Sequence, residues 1–303
     1  MEVRRACPIC LHDNTRFWIH PPASPGPIVR CQECGFVFVN PIQKPRNLIS
    51  DGPKPEGLPA RFLTSSNLND IPAPWQRGQI ASHMRELSAK KKNARQVLRH
   101  LERLNKEPGN LLDIGSYCGV FLSVAAEVGW QTFGLEPMVM PAIYSRARFG
   151  TRVVTDTLRD DTFPSDTFDV VTAFQVFEHL VEPERELKKI WRILKPNGLL
   201  VIEVPNIESW MVKLLKERHR HFVKDHISFY SAHTLNRLLT RLGFRIREVY
   251  YPTRSVSVRH LAWWIGKYNA GFGTFADRAL PDNLLNKQVG MNLGDIVTVI
   301  AEK

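Results

Sequence analysis

The sequence predicts an α/β fold: a mostly parallel sheet with helices on both faces and a late antiparallel edge strand, preceded by a small cysteine-bearing module. Three observations predict it. Short apolar runs alternate with stretches of helical periodicity from about residue 86 onward. A glycine turn follows the first of those runs, at Gly115. Two C-x-x-C pairs stand near the start, and their surroundings differ in composition from everything after them. With 43% hydrophobic and 23% charged side chains in 303 residues, the chain can bury a core and is not a disordered tail. No run approaches the roughly 18 apolar residues of a membrane span, and Met1–Cys7 lacks the apolar stretch of a secretion signal. A soluble, cytoplasmic protein is the expectation.

The cysteines come first in chain order. Cys7-Pro8-Ile9-Cys10 and Cys31-Gln32-Glu33-Cys34 are separated by 20 residues. Two such turns can each supply two corners of a tetrahedron and close it to water, which is the spacing of a structural zinc site with Cys7, Cys10, Cys31 and Cys34 as ligands. Two disulfides, or idle core cysteines, are the alternative; a reducing compartment disfavours the first. Gly35 suits a turn with positive φ, and Phe36-Val37-Phe38-Val39 then alternates as a strand, so residues 1–40 read as a zinc ribbon. About 40 residues bury little on their own, so the metal is expected to hold the module together. Residues 41–85 carry Pro41, Pro45, Pro53, Pro55, Pro59, Pro72 and Pro74 and read as a proline-rich linker or lid. Phe62, Leu63, Leu68, Ile71 and Trp75 give it apolar material to pack on a neighbour.

Periodicity begins after Ser82. Val97, Leu98, Leu101 and Leu104 share a helical face, and Pro108-Gly109-Asn110 stops that helix. The strand Leu111–Ile114 follows, then an apolar helix through Phe121, Leu122, Val124 and Ala125 to Gly129, then the strand Gln131–Glu136. Further strands are expected at Arg152–Val154, Phe168–Phe174 and Leu199–Val204, with a helix from Glu184 to Leu194 ended by Lys195-Pro196-Asn197-Gly198. Arg245–Tyr250 and Asp295–Ala301 are expected to pair as a reversed hairpin at one edge. Residues 86–303 are expected to form a Rossmann-like domain, with 252–290 as a candidate substrate-cap insertion. Ligands of such sheets bind at the carboxyl ends of the strands.

The chemistry-bearing residues fall at those ends. Asp113-Ile114-Gly115-Ser116-Tyr117-Cys118-Gly119 is a strand-to-helix turn whose glycines let the backbone approach a ligand, with unpaired helix amides beyond it. Glu136, 23 positions after Asp113, can accept both hydroxyls of an unphosphorylated ribose, or else it is a solvated glutamate. Phe168-Asp169-Val170-Val171, Phe177-Glu178-His179-Leu180 and Leu194-Lys195-Pro196-Asn197-Gly198 follow in order. The series resembles the motifs of the class I S-adenosylmethionine-dependent methyltransferases, and the ribbon makes it similar to bacterial members that act on small molecules or sugars. The family commonly has glycine where this chain has Tyr117. The resemblance implies S-adenosylmethionine as cofactor: its methionine carboxylate against the turn formed by Asp113, Gly115, Ser116, Tyr117 and Gly119, its ribose on Glu136, and its adenine against Pro137 and Met138. Asp156 either reaches the adenine edge or caps its own loop. Gln175 closes the strand where transfer takes place in this architecture.

An in-line displacement at an activated methyl group needs alignment and, for a hydroxyl, removal of a proton. His179 and His226 are the base candidates, each with a structural hydrogen-bonded role as its alternative. Asp225 beside His226 can raise its basicity if the two side chains meet. The net charge of +11 is uneven: residues 1–110 hold 17 basic and 9 acidic side chains, 111–208 hold 9 and 14, and 209–303 hold 15 and 7. Basic flanks serve an anionic small acceptor, nucleic acid, a membrane surface or only solvent. Lys216–Lys224 either faces an anionic acceptor or is a solvated helix surface. Leu261–Tyr268, with Trp263 and Trp264, is a substrate lid, a membrane-contacting helix, or core. The leading expectation is methyl transfer to a small molecule such as a sugar or lipid-linked intermediate. An RNA methyltransferase is the alternative, weakened by Phe174-Gln175-Val176-Phe177 where amino-directed enzymes often have an N-P-P-Y-like tetrapeptide. A non-catalytic scaffold that keeps the fold is the third reading.

Overall fold

The computed structural model describes residues 2–43, 64–266 and 280–303. Pro45, Pro53, Pro55, Pro59, Phe62 and Leu63 of the connector, and Lys267 and Tyr268, lie outside the described residues, and of Trp75 only the backbone is described. In chain order the strands are β1 Glu2–Val3, β2 Thr15–Ile19, β3 Ile28–Cys31, β4 Val37–Val39, β5 Ile42–Gln43, β6 Asn110–Ile114, β7 Gln131–Leu135 and β8 Arg152–Val154. They continue with β9 Phe168–Phe174, β10 Leu194–Pro205, β11 Ser228–Phe229, β12 Arg245–Tyr250, β13 Arg254–Ser257, β14 Gln288–Met291 and β15 Ile296–Glu302.

Two compact units form. The first contains residues 1–70, 108–252 and 293–303, and the second residues 71–107 and 253–292. In the first, a seven-stranded sheet runs in the order β12-β15-β10-β9-β6-β7-β8. Neighbours from β10 to β8 are parallel, while β15 is antiparallel to both β10 and β12. The expected reversed pair is present, and β15 stands inside the sheet with β12 at the edge. From β6 the chain moves outward to β7 and β8 on one side and later to β9 on the other. That change of direction leaves a crevice beyond the carboxyl ends of β6 and β9, the usual ligand site of an open α/β sheet. Val170, Val171 and Ala173 of β9 and Leu200, Val201 and Ile202 of β10 are fully buried, as strands covered on both faces must be.

Helices Val120–Glu127, Val139–Phe149, Pro183–Ile193 and Ala232–Arg241 accompany the sheet. Pro183 opens its helix at a position whose N–H has no helical partner. Ser231 caps the last one: its Oγ accepts from Thr234 N at 3.2 Å, and Thr234 Oγ1 accepts from Ser231 N at 2.9 Å.

The cysteine module belongs to this same unit. Strands β2, β3 and β4 form an antiparallel sheet whose fourth member is β11, paired with β4 through Ser228↔Phe38 and Phe229↔Val37. The predicted alternation of Phe36 to Val39 is present, but neither face meets water. Phe36 and Phe38 enter the core that holds Phe177, Tyr230 and Val204, while Val37 and Val39 join Ile28, Val212, Phe222 and Phe229. Each buried Phe contributes about 2–3 kcal/mol. The metal is therefore not the sole support of residues 1–40, contrary to the expectation from their number.

The second unit has its own helix, Leu87–Arg103, with Val97, Leu98 and Leu101 buried as predicted. Its antiparallel pair β13–β14 is tied to that segment: Ser255 N donates to Asn93 Oδ1 at 2.8 Å, and Ser257 N to Glu86 Oε2 at 3.0 Å. The helix Val258–Gly266 buries only Ala262, and Trp263 is 54% exposed, so Trp263 is not a core residue. Among the described residues no helix is long and apolar enough to cross a membrane.

Candidate active site

The turn after β6 is tight. Gly115 and Ser116 both donate to Leu135 O, at 2.8 and 3.1 Å, and Gly119 N donates to Ser116 O at 2.9 Å. Gly119 takes φ 74° as the N-cap of Val120–Glu127, where a Cβ would stand 1.8 Å from Ser145 Oγ. Tyr117 has φ 46°, the left-handed conformation that glycine adopts without strain. The aromatic residue thus keeps the glycine-type backbone path.

Glu136 follows β7, 4% exposed, and its carboxylate spans the turn. Oε2 accepts from Tyr117 N and Oε1 from Met138 N, each at 2.7 Å. Each oxygen keeps lone-pair capacity for another donor. Burial pushes the carboxyl up to about 7, against the two amides that lower it. Asp113 is inside β6 and accepts from Thr172 Oγ1 at 2.7 Å; burial, partly opposed by that hydroxyl, raises it to about 7. Buried Ser116 Oγ and Gln175 Nε2 have no hydrogen-bond partner. Gln175 has φ 56° and donates its N–H to Glu203 O at 2.8 Å, which fixes it at the end of β9.

This part of the crevice fits the nucleoside and amino-acid ends of S-adenosylmethionine. A pre-oriented acidic acceptor suits vicinal hydroxyls, orphaned buried polar groups suit polar ligand atoms, and a Cβ at Gly115 would come within 2.6 Å of Val176 Cγ2. Met138 is 42% exposed beside half-buried Pro137, an available apolar wall. Asp156 lies two residues past β8, at the same end of the sheet. It caps its own loop, accepting from Thr157 N at 2.7 Å and Arg159 Nη2 at 2.9 Å.

His179 and His226 come together, as neither motif alone required. His179 closes a short 3₁₀ turn after β9, and His226 lies just before β11. Their ring centroids are 4.8 Å apart at 79°. Asp225 acts differently from the expectation: its main-chain oxygen, not its carboxylate, orients a ring, accepting from His179 Nδ1 at 2.7 Å. His226 Nδ1 donates to His221 O at 2.9 Å. Burial lowers both imidazoles, His226 to about 3 with His179 and His221 adding to the effect. Each ring is neutral with its proton on Nδ1, leaving Nε2 as an acceptor.

Glu178, quoted only as part of a motif, lies against them. It is fully buried, both oxygens lack a hydrogen-bond partner, Oε1 is 4.0 Å from His226 Nε2, and burial raises the carboxyl to about 8. The adjacent pair Glu178-His179 at a strand end was the available signal. Lys216–Lys224 is not a solvated helix. Its helical turn ends at Arg218, His219 and Phe222 are buried, and Arg220 Nη2 pairs with Asp295 Oδ2 at 2.9 Å.

The four cysteine sulfurs lie within 4.8 Å of one another, with Cys7–Cys34 and Cys10–Cys31 each 3.5 Å apart, too far for disulfide bonds. Tetrahedral zinc with bonds of about 2.3 Å needs sulfurs roughly 3.8 Å apart. The donor set fits that ion. From the same module, Arg5 donates to Val181 O at 3.0 Å and Ile227 O at 3.1 Å, two residues after His179 and one after His226.

The profile of a family described as "Methyltransferase domain" matches residues 81–249. A Bradyrhizobium diazoefficiens ubiquinone biosynthesis O-methyltransferase is 30% identical over 121 residues, 38% of this chain and 47% of that protein. A Mycolicibacterium smegmatis protein named a probable S-adenosylmethionine-dependent methyltransferase is 25% identical over 140 residues, 46% of this chain and 53% of that one. The chain thus spans about half the length of these curated relatives. Among solved structures, a Thermotoga maritima S-adenosylmethionine-dependent methyltransferase aligns with TM-score 0.48 and 19% identity, over 74% of this chain and 96% of that one.

Proposed function

We propose, for a chain that belongs to the methyltransferase-domain family, that it transfers the methyl group of S-adenosylmethionine to a hydroxyl of a small-molecule acceptor. One observation carries the reading: the Glu136 carboxylate, held at 2.7 Å by the amides of Tyr117 and Met138, beside a turn too close-packed for a Cβ. Glu136 binds the ribose, Asp113 and the 115–119 turn with Ser116 hold the amino-acid end, and Pro137 and Met138 border the adenine. Asp156 supports the loop on that side. When bound, the cofactor supplies a sulfonium-activated methyl group.

The protein's part is to align the acceptor and take charge of its proton. The acceptor oxygen forms the new O–C bond as the C–S bond breaks, giving the methyl ether, S-adenosylhomocysteine and one proton. His179 and His226, with unprotonated Nε2 atoms, are the base candidates, and Gln175 offers an unpartnered side-chain amide at the end of β9. Zinc at Cys7, Cys10, Cys31 and Cys34 is structural: four protein ligands complete its shell. Residues 252–290 are assigned the substrate-cap role. Residues 1–40 are the zinc ribbon, 41–85 the connector and 86–303 the transferase. The unbridged cysteines support a cytoplasmic setting, and the basic flanks suit an anionic or sugar-containing acceptor.

Calorimetry of the zinc-loaded protein with S-adenosylmethionine tests the reading. One site per chain is expected. No binding would overturn it in favour of a scaffold, and steeply salt-dependent RNA binding would replace the small acceptor by a nucleic acid.

A further inference from the structure

We propose that Glu178, His179 and His226 form a second metal site, distinct from the four cysteines, which takes one divalent transition-metal cation and leaves a coordination position open to an acceptor hydroxyl. The ligand part stands on geometry alone; the acceptor part rests on the methyl-transfer reading.

One ligand atom from each of the three residues lies within 4.8 Å of the others. Both rings have Nδ1 tied to a main-chain carbonyl, His179 to Asp225 O at 2.7 Å and His226 to His221 O at 2.9 Å. This second contact fixes the tautomer of metal-binding histidines and directs the Nε2 lone pair to the ion. The carboxylate is the independent indication. Glu178 is fully buried, yet neither oxygen has a partner, and a buried carboxyl without a hydrogen-bond partner or a metal is rare. Its Oε1 stands 4.0 Å from His226 Nε2, too far for a hydrogen bond. Bonds of about 2.1 Å to one ion would need roughly 3.4 Å between ligands, within reach of small side-chain rotations.

The supports are tied to each other. Glu178 and His179 leave the end of β9, and His226 precedes β11, where Ile227 N donates to Glu178 O at 2.9 Å and clamps the two segments. Two imidazoles and a carboxylate favour zinc, cobalt, iron or manganese over magnesium or calcium. Three protein ligands leave an open position, the arrangement of a catalytic rather than a structural ion. An ion there acidifies a hydroxyl bound to it. The proton passes to water, and the oxygen is ready for the methyl group. The imidazoles are then ligands, and neither is the base.

The test uses the full chain with its cysteine site loaded with zinc, titrated with cobalt(II) and followed by visible absorption and elemental analysis. One further cobalt per chain is expected, with ligand-field bands and without the thiolate charge-transfer absorption that exchange at the cysteines would produce. His226→Ala and Glu178→Gln are each expected to weaken cobalt binding at least tenfold while S-adenosylmethionine binding shows that the variants fold. Cofactor binding with no further cobalt, or with cobalt uptake unchanged in both variants, overturns the metal site and leaves the transferase reading standing. Cobalt uptake without cofactor binding keeps the site and removes its role toward an acceptor.

Discussion

Glu136 ties the loop after β7 to the turn after β6 through two amides, so its charge state governs both the shape and the affinity of the crevice. Replacing it with glutamine puts an N–H against one of those amides and removes an anionic acceptor. Affinity for S-adenosylmethionine should fall by about 2 kcal/mol, roughly 30-fold, in calorimetry. Because burial raises this carboxyl to about 7, and bound hydroxyls favour its ionised form, binding at pH 6 should be weaker than at pH 8 and release a proton. Asp113, raised to the same range and placed at the amino-acid end in the proposed reading, adds its own share, so the pH slope should lessen without vanishing in Glu136→Gln. Gly119→Ala should lower stability by about 2 kcal/mol or more in thermal unfolding, from positive φ and the collision with Ser145. At this scale much of the site was legible. Gly115, Gly119 and Glu136 stand where a glycine turn and a strand end must put them. Glu178 was harder to read, because its meaning depends on a histidine 48 positions later and on having no partner, and neither is a property of local sequence.

β4 is the element whose two faces serve two different cores, and β11 extends its sheet toward the histidine pair. Removal of the proposed zinc, or Cys31→Ser, should loosen β3 and β4 and with them β11. In hydrogen exchange, protection should drop at residues 37–39 and 228–229 and persist at 110–114. Equal loss at β6 would mean that the ribbon is required for the whole unit to fold. The cysteine spacing disclosed the four thiols that the module brings together. Alternation disclosed the strand as well. What alternation cannot report is that both faces of β4 are covered, since the covering residues, Phe177, Phe222 and Tyr230, are distant in sequence. Trp263 shows the same limit from the other side, an aromatic residue left largely exposed by a helix that buries only Ala262.

Across the first unit, buried groups of opposite type balance one another. Asp113 and Glu136 have pKa values raised to about 7, so the stability they favour is full below their ordinary values near 4 and is lost as pH rises through 7. His219, lowered to about 3 by burial, and His221, also lowered, act in reverse: their share is present above 6.5 and is lost as pH falls. Between about pH 6.5 and 4.5 the two sets oppose each other. Below that the histidines are joined by Asp295, which His221 and Arg220 hold well under the usual carboxylate range despite burial. Thermal midpoints should therefore stay nearly level from pH 6.5 to 5 and fall steeply below about 4.5. A steep decline already between pH 7 and 5 would show that the histidines dominate. The seven strands of the main sheet were legible from periodicity, including the late antiparallel pair. The grouping of residues 71–107 with 253–292 was not, because it joins segments on opposite sides of the main sheet's sequence. β15 has a further consequence for how the molecule is made. All seven of its residues are buried, and β12 reaches the sheet only through it. During synthesis β12 has no neighbour to pair with until Glu302 has left the ribosome, so β10 waits with a bare, apolar margin, and a chaperone that shields that margin should raise the yield of active protein.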